Sequence, residues 1–302
     1  MALYLYSVIL AAVFSVAILL FPLPASADWT PLIERLVVDN FNEQTVKALF
    51  AQPGVKFDPT VMSCKIKEIV RNRSKKPDAA SARKIRAAYA RFLRPEVISQ
   101  AYAYAQRNEI ALQNIRNNYC VPKEIIVSIV LVETELGKNV GTRGAFNTLA
   151  SMAMSYDLET IRPYLAPDLI NERNENLVRK RCRQKANWAY TELKALIKHA
   201  SERGIDPLSI PGSVYGAIGI CQFMPSQIPA YGVDADRDGH VNLFADEDAL
   251  FSVAKYLRGH GWRCGLSTKK KHRVILAYNH SKIYASTVMG VAEKLKTKDG
   301  GK

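Results

Sequence analysis

Residues 122–137 read PKEIIVSIVLVETELG, and this stretch sets the interpretation of the whole chain. Pro122 suits the first turn of a helix and Gly137 suits its end, so the segment between them is predicted to be helical. Four residues follow the helical spacing i, i+3, i+4 and i+7: Ile126, Ile129, Val130 and Glu133. A carboxyl group therefore continues an apolar stripe. Desolvation on this stripe would raise the pKa of the Glu133 carboxyl. A carboxyl with a raised pKa can act as a general acid near neutral pH.

Taken alone, this helix leaves a second interpretation of Glu133 open, as an ordinary surface or salt-bridged glutamate. Glu135 follows two residues later, roughly 200° around the helix, and is predicted to be a solvated neighbour. The motifs later in the chain favour the catalytic interpretation of Glu133.

Composition indicates an exported globular protein. The chain has 302 residues, of which 48% are hydrophobic and 23% charged, enough for one large or two modest domains. Residues 1–27 contain no charged side chain, and the sequence Ala25-Ser26-Ala27 forms a cleavage signature. We expect a cleaved signal peptide and a periplasmic protein that is not a lipoprotein, because no cysteine lies near the cut. Left uncleaved, the apolar segment is long enough to span a bilayer and would associate the protein with a membrane.

The formal net charge of +14 favours an anionic partner. For an exported protein this indicates cell-wall polymers or membrane surfaces rather than nucleic acid. The densest basic run, residues 179–185, is interpreted as a solvated face. Five cysteines permit one or two disulfides and leave at least one thiol over: Cys64, Cys120, Cys182, Cys221 and Cys264. Their wide spacing indicates no zinc site and does not determine their pairing.

Helical periodicity dominates from Trp29 onward, so the predicted fold class is mainly α. An amphipathic helix is expected from Trp188 to Ala200, and two more near the end, from Asp248 to His260 and from Val274 to Leu295. Residues 71–83 are basic and poorly periodic, and are predicted to form a solvated connector. The chain divides into a signal peptide (1–27), a helical N-terminal region (28–115), a main domain (116–295) and a basic tail (296–302).

Residues 234–242 read DADRDGHVN, which matches the opening of an EF-hand-like calcium loop. Carboxylates occupy positions 1, 3 and 5, and Gly239 at position 6 allows the sharp turn. Position 12 is Ala245 instead of glutamate, so we assign the last ligand to Asp248 and place the loop at 234–248. The predicted ligands of a structural Ca²⁺ are Asp234, Asp236, Asp238, the carbonyl oxygen of His240 and Asp248. Mg²⁺ stays open as an alternative.

Two further segments carry polar groups in apolar surroundings. Residues 212–225 read GSVYGAIGICQFMP, where closely spaced glycines allow backbone to approach a ligand and Gln222 offers an amide to sugar hydroxyls. Tyr278 and Asn279 lie within the last predicted apolar helix and require partners there; satisfied core polar groups are the competing interpretation.

These motifs occur in one order: E-T-x-x-G at Glu133, G-A-I-G-x-x-Q-F-M-P at Gly216, D-x-D-G-H-x-N-L at Asp236, H-G-W at His260 and Y-N at Tyr278. The series resembles the membrane-bound lytic murein transglycosylase B family, soluble-domain enzymes that cut the glycan strands of peptidoglycan. The resemblance extends from about Trp29 to Leu295 and is weakest in the first third.

The resemblance implies a lysozyme-like catalytic domain for residues 116–295 and a monomer that acts on glycan strands. It implies Glu133 as the single catalytic acid and base. It also implies a set of side chains lining the sugar subsites: Ser213, Gln222, Tyr256, Tyr278 and Asn279. Two departures stand out, because Cys221 replaces a small residue and is expected to crowd a subsite wall, and because Glu135 adds a negative charge.

The chemistry agrees with a single acid. Ordinary glycosidases need two carboxylates that flank the bond, whereas the other carboxylate cluster of this chain is assigned to a metal. One carboxyl suffices if the 2-acetamido group of N-acetylmuramic acid stabilises the anomeric carbon and the 6-hydroxyl then attacks it, which yields a 1,6-anhydro end. Two alternatives remain: a lysozyme-like hydrolase and a non-catalytic, calcium-dependent peptidoglycan-binding protein.

Overall fold

The computed structural model describes residues 27–74 and 79–300, and the described chain is mainly helical, as predicted. The helices are α1 (Thr30–Val38), α2 (Glu43–Phe50), α3 (Pro59–Ser74), α4 (Ala79–Ala90), α5 (Pro95–Arg107), α6 (Glu109–Tyr119), α7 (Lys123–Thr134), α8 (Ala145–Met154), α9 (Glu175–Glu202), α10 (Ile228–Tyr231), α11 (Asp246–Gly259), α12 (Thr268–Tyr278) and α13 (Lys282–Gly300). Short 3₁₀ turns cover Arg91–Leu93, Leu158–Thr160, Arg162–Tyr164, Pro207–Ser209 and Pro225–Gln227. Strands β1 (Arg143–Gly144) and β2 (Pro211–Gly212) pair antiparallel, with Arg143 opposite Gly212.

Helix α7 forms the centre of the core. Every residue from Ile125 to Leu131 is buried, so this helix is apolar on all sides and not on one stripe only. It packs against α5, α6, α11 and α13. Pro122 adopts an extended conformation and caps its start, as the sequence predicted. The last turn of α7, which carries Glu133, is thereby held from several sides.

Helices α8 and α9 pack along each other and form a second layer. Helix α9 begins at Glu175, well before the Trp188 that periodicity indicated, so the basic run at 179–185 is helical. The connector predicted at 71–83 is also wrong for its described part, because α3 extends to Ser74 and α4 begins at Ala79. Alanine, lysine and arginine are good helix formers even where no apolar stripe is present, and α4 gains further support by packing on α13.

The predicted helix from Val274 to Leu295 is interrupted. Helix α12 ends at Tyr278, and Asn279 adopts an extended conformation with φ −146° and ψ 121°. The Oδ1 atom of Asn279 accepts a hydrogen bond from the backbone N–H of Ser281 at 3.1 Å, which stabilises the break. Tyr278 therefore lies at a helix end, where its ring faces the interior beside α7 and not along a continuous helix.

One disulfide joins Cys120, at the end of α6, to Cys264, which follows α11, with Cα atoms 5.1 Å apart. Cys64 is exposed as a free thiol, whereas Cys182 and Cys221 are free and buried. The predicted signal peptide lies almost wholly outside the described residues. Among the residues that are described, none of the helices has the length and apolar character needed to cross a membrane. The proposed domain boundaries remain predictions.

Candidate active site

Glu133 lies in the last turn of α7, directly before a left-handed turn. Glu135, Leu136 and Gly137 have φ values of 52°, 64° and 83°, so the helix ends there and not at the glycine. The Oγ1 atom of Thr134 donates a hydrogen bond to the carbonyl of Ile220 at 2.8 Å and accepts one from the N–H of Gly137 at 3.1 Å. The first bond fixes the turn after Glu133 to the glycine-rich segment, and the second stabilises the turn itself.

Burial raises the pKa of the Glu133 carboxyl from 4.5 to about 7, because desolvation penalises the charged form. The hydroxyl of Tyr284 acts in the opposite direction, since it favours the carboxylate. This hydroxyl is buried without a hydrogen-bond partner of regular geometry, yet it lies close enough to Glu133 for the two groups to interact electrostatically. Burial, first, and the negative charge of Glu133, second, hold the pKa of Tyr284 well above its usual value.

A wall of aromatic side chains stands beside Glu133. The hydroxyl of Tyr278 donates to the carbonyl of Cys221 at 2.5 Å, and the hydroxyl of Tyr256 donates to the carbonyl of Ala277 at 2.8 Å. The rings of Tyr256 and Tyr278 meet edge to face with centroids 4.9 Å apart, and Phe223 packs against both. After burial, the charge of Glu133 also raises the pKa of Tyr278. The structure thus brings Glu133 and Tyr278 close together, and the ring of Tyr256 packs against the ring of Tyr278.

Sequence reasoning missed two residues of this site, Tyr89 and Tyr284. Tyr89 comes from α4, and its pKa is raised first by burial and then by Glu133. Tyr284 comes from the first turns of α13. Neither residue belongs to a motif, and both reach Glu133 only through the packing of α4 and α13, so no local spacing signals their role.

Three predicted subsite residues serve the local backbone. Gln222 has a left-handed φ of 52°, and its Nε2 donates to the carbonyls of Gly219 at 2.9 Å and Val140 at 3.1 Å. The Ser213 hydroxyl accepts from the N–H of Ala217 at 3.0 Å, and Asn279 holds the break between α12 and α13. Among residues 27–74 and 79–300, no hydrogen bond to the Oε1 of Gln222 is found, and none joins Ser213 or Asn279 to Glu133. Their role toward a sugar remains a prediction.

Cys221 and Glu135, the two departures from the family pattern, lie in different surroundings. Cys221 is fully buried, and burial raises the pKa of its thiol far above the usual range, so it lies beneath the wall and does not crowd an open surface. Glu135 is not a simple solvated neighbour on the helix. It lies in the left-handed turn, and its carboxylate pairs with the Arg91 guanidinium at 2.8 Å.

A second site gathers carboxylates in the loop before α11. Ligand atoms of Asp234, Asp236 and Asp248 lie within 4.8 Å of one another. Asp248 is fully buried, and its two oxygens accept from the N–H groups of Ala235 at 2.8 Å and Asn242 at 2.6 Å. Burial raises its pKa, and the neighbouring carboxylates raise it further. Such convergence of carboxylate oxygens fits a divalent cation such as Ca²⁺ or Mg²⁺. Asp238 is not among the three residues whose ligand atoms converge, and its Oδ1 accepts from the N–H of His240 at 2.8 Å.

The fold and the site define a helical protein in which a buried carboxyl group faces a tyrosine-rich wall. Residues 25–271 match the family model described as transglycosylase SLT domain, and the chain therefore belongs to this family. Membrane-bound lytic murein transglycosylase B of Escherichia coli strain K12 is 32% identical over 172 residues, which span 57% of this chain. The match covers 40% of that relative, less than half of its length. The resemblance indicated by the motifs is confirmed.

Solved structures confirm the fold class. The lytic transglycosylase Slt35 of Escherichia coli in complex with bulgecin A superposes with a TM-score of 0.69 at 23% identity, covering 90% of this chain and 96% of that one. The same protein in complex with calcium gives a TM-score of 0.68 at 22% identity, with coverage of 90% and 96%. SltB3 of Pseudomonas aeruginosa in complex with NAG-anhNAM-pentapeptide gives 0.65 at 20% identity, covering 89% of this chain and 78% of that one.

Proposed function

We propose that this protein is a lytic transglycosylase that cleaves the bond between N-acetylmuramic acid and N-acetylglucosamine in peptidoglycan and leaves 1,6-anhydromuramic ends. The observation that carries the proposal is the Glu133 carboxyl, buried beside Tyr278 and Tyr284 with a pKa raised to about 7. Family membership and the named activity of the Escherichia coli relative support it.

Glu133 performs both proton transfers. With a pKa near 7, its protonated form is well populated at neutral pH and donates a proton to the glycosidic oxygen as the bond breaks. The carboxylate that results then accepts the proton of the 6-hydroxyl as that oxygen attacks the anomeric carbon. The first proton stays on the new hydroxyl of the leaving sugar, and the second restores the protonated Glu133, so the cycle consumes no water.

No second carboxylate stands ready as a nucleophile in the described part of the site. Glu135 is held by Arg91, and the trio of Asp234, Asp236 and Asp248 is gathered in a separate loop. A two-carboxylate mechanism needs acids on both sides of the bond. Attack by the substrate's own 6-hydroxyl fits a site with a single acid, which favours the transglycosylase over a lysozyme-like hydrolase.

Side chains around Glu133 have distinct tasks. Tyr278 is partly exposed and presents its ring to a sugar, and the buried rings of Tyr256 and Phe223 support it. Ser213, Gln222 and Asn279 lie along the same segments and line the sugar subsites. Asp234, Asp236 and Asp248, together with Asp238 and the carbonyl of His240, would hold Ca²⁺, which supplies structural stability to the loop. The protein acts as a periplasmic monomer on glycan strands.

Digestion of purified peptidoglycan tests the activity. The wild-type chain is expected to release soluble muropeptides, and Glu133→Gln, which keeps the size of the side chain but cannot ionise, is expected to release none above background. Loss of a general acid costs roughly 10²–10⁴ in rate. Equal release by both chains would remove Glu133 from the mechanism, and uncut strands with the wild type would favour the non-catalytic binding protein.

A further inference from the structure

A cationic and aromatic surface lies where α3 and α9 pack against each other. The Lys65 ammonium lies over the ring of Tyr215, 4.4 Å from the ring centroid, and pairs with the Glu68 carboxylate at 2.9 Å. The Tyr215 hydroxyl donates to the same carboxylate at 3.1 Å. We call this surface the α3–α9 patch, and its members are Lys65, Glu68, Arg181, Lys185, Trp188 and Tyr215.

Lys185 is a partly buried member of the α3–α9 patch. It lies four residues after Arg181 and three before Trp188, so the three side chains share one face of α9. Its ammonium lies 5.4 Å from the Trp188 ring centroid. Burial, first, and the positive charges of Lys65 and Arg181, second, lower the pKa of Lys185. The three cations are therefore close enough to repel one another, and a bound anion would relieve this repulsion.

Positive charge exceeds negative charge in the α3–α9 patch. Three cations face one acid, Glu68, whose carboxylate is already paired with Lys65. Arg181 donates from Nη1 to the Oε1 of Gln184 at 2.9 Å, and no ion pair of Arg181 or Lys185 is found within residues 27–74 and 79–300. A neutral sugar would leave these two cations unmatched, whereas one carboxylate can accept hydrogen bonds from both.

The α3–α9 patch adjoins the segment that the proposed function assigns to the sugar subsites. Tyr215 lies two residues after Ser213, and Val214 between them is 56% exposed. Gly216 holds this loop against α8, because a Cβ atom at Gly216 would lie 2.7 Å from the side chain of Leu149. An exposed apolar side chain beside the cations fits a peptide, which has apolar as well as charged parts, better than it fits an inorganic anion.

We propose that the α3–α9 patch binds a carboxylate of the peptide carried by a muramic residue while Glu133 acts on the glycan strand. Arg181 and Lys185 bond to the carboxylate, Lys65 adds to the positive potential, and Val214 contacts the apolar part of the peptide. This inference rests on the proposed function and deepens it, because it makes peptide-bearing strands the preferred substrate over strands without peptides.

Initial rates of cleavage of peptide-bearing strands, and of the same strands after an amidase has removed the peptides, test this site. The wild type is expected to have the lower KM for peptide-bearing strands. Lys185→Met removes the ammonium and keeps an unbranched chain beside Trp188. It is expected to raise the KM for peptide-bearing strands roughly tenfold, as the loss of a hydrogen bond between charged groups does. The KM for stripped strands and kcat for both are expected to stay as in the wild type.

Three further variants separate a carboxylate site from a structural role of Lys185. Lys185→Arg keeps the positive charge and is expected to retain most of the preference for peptide-bearing strands. Lys180→Met makes the same change at an exposed position of α9 outside the patch and is expected to behave as the wild type. Glu68→Gln removes the acid of the patch and is expected to lower the KM for peptide-bearing strands. The melting temperature of Lys185→Met is expected to match or exceed that of the wild type, since the variant loses a partly buried charge.

Two kinetic results would overturn the proposal: equal KM values of the wild type for the two strands, and an equal rise in both KM values in Lys185→Met. Vesicles that contain phosphatidylglycerol test a lipid surface as the alternative partner. Vesicle binding that Lys185→Met abolishes, without any preference between the strands, would assign the patch to a membrane and overturn the proposal.

The peptide site and the enzyme activity fail separately. Cleavage of both strands with equal KM removes the peptide site and leaves the transglycosylase intact. If the wild type cuts neither strand, calorimetric titration with soluble strand fragments still tests the patch. Tighter binding of peptide-bearing fragments than of stripped ones, lost in Lys185→Met, would then keep the peptide site and remove the enzyme; equal binding would remove both.

Discussion

Arg91 and Glu135 join the N-terminal helical region to the turn that follows Glu133, with Nη2 and Oε1 2.8 Å apart. Arg91 follows the helix that carries Tyr89, and Glu135 is two residues from Glu133. The pair therefore connects the segment after Tyr89 to the left-handed turn after Glu133. Three successive left-handed residues are costly for non-glycine side chains, and contacts from outside the turn must hold them.

Charge reversal tests this connection. Arg91→Glu places two like charges together and is expected to lower the rate of strand cleavage by roughly fivefold, about the 1 kcal/mol of an exposed pair. The double variant Arg91→Glu with Glu135→Arg is expected to restore most of the rate, measured as muropeptide release. Arg94→Glu makes the same charge change nearby and serves as control. Failure of the double variant to recover would show that the ion pair does not position the site.

Glu133 also makes the stability of the protein depend on pH. Its pKa is about 7 in the folded state against an ordinary value of 4.5, so between these values the folded chain keeps a proton that the unfolded chain has lost. Stability therefore falls as the pH rises through this window, by on the order of 3 kcal/mol at full effect.

The Glu133→Gln variant has no ionisable group at this position, so its stability does not depend on this proton. Its melting temperature is expected to match the wild type near pH 4 and to exceed it by several degrees at pH 8, as seen by circular dichroism. Glu135→Gln, an exposed change two residues away, is expected to show no comparable rise. A constant difference between Glu133→Gln and wild type across this range would contradict the raised pKa.

Calcium is expected to raise the melting temperature, because a ligand that binds only the folded state stabilises it. Asp236→Ala removes one carboxylate of the trio and is expected to abolish the rise. Glu247→Ala removes an exposed charge beside Asp248 and is expected to keep it. Identical melting of the wild type in chelator and in calcium would show that the loop binds no ion.

The disulfide between Cys120 and Cys264 closes a loop with a sequence separation of 144 residues. Its removal by Cys120→Ser with Cys264→Ser is expected to lower the free energy of unfolding by about 2–5 kcal/mol, measured by denaturant titration. Cys64→Ser changes an exposed free thiol and is expected to have no effect. An unchanged unfolding midpoint in the double variant would argue against the pairing.

Features of the fold and site that depend on neighbouring residues could be predicted from the sequence, and features that depend on residues distant in sequence could not. The helix carrying Glu133 and its buried surroundings were predictable, because the apolar spacing of residues 122–137 is a local signal. The first half of α9 was missed because its buried stripe, Val178, Cys182 and Ala186, is narrow and lies among many basic residues. Tyr89 and Tyr284 were missed because only the packing of α13 on α7, and of α4 on α13, brings them to Glu133. The pairing of Cys120 with Cys264 is likewise a product of the fold.

Gln222 shows the limit of reasoning from residue type. Its amide suits a sugar hydroxyl as well as a backbone carbonyl, and in the structure its Nε2 donates to Val140 and Gly219. A left-handed φ places the side chain back over its own turn, a geometry that the sequence does not specify. The same holds for Asn279, whose side chain stabilises the end of α12.

The central claim is that the substrate's own 6-hydroxyl, and not water, completes the reaction begun by Glu133. Purified peptidoglycan digested by the wild-type chain, treated with borohydride and analysed by mass spectrometry, tests it directly. New muramic ends are expected that borohydride does not reduce and that are lighter than hydrolysed ends by one water, as 1,6-anhydro sugars are. Reducible ends as the main product would contradict it, even if Glu133 proved essential for cleavage.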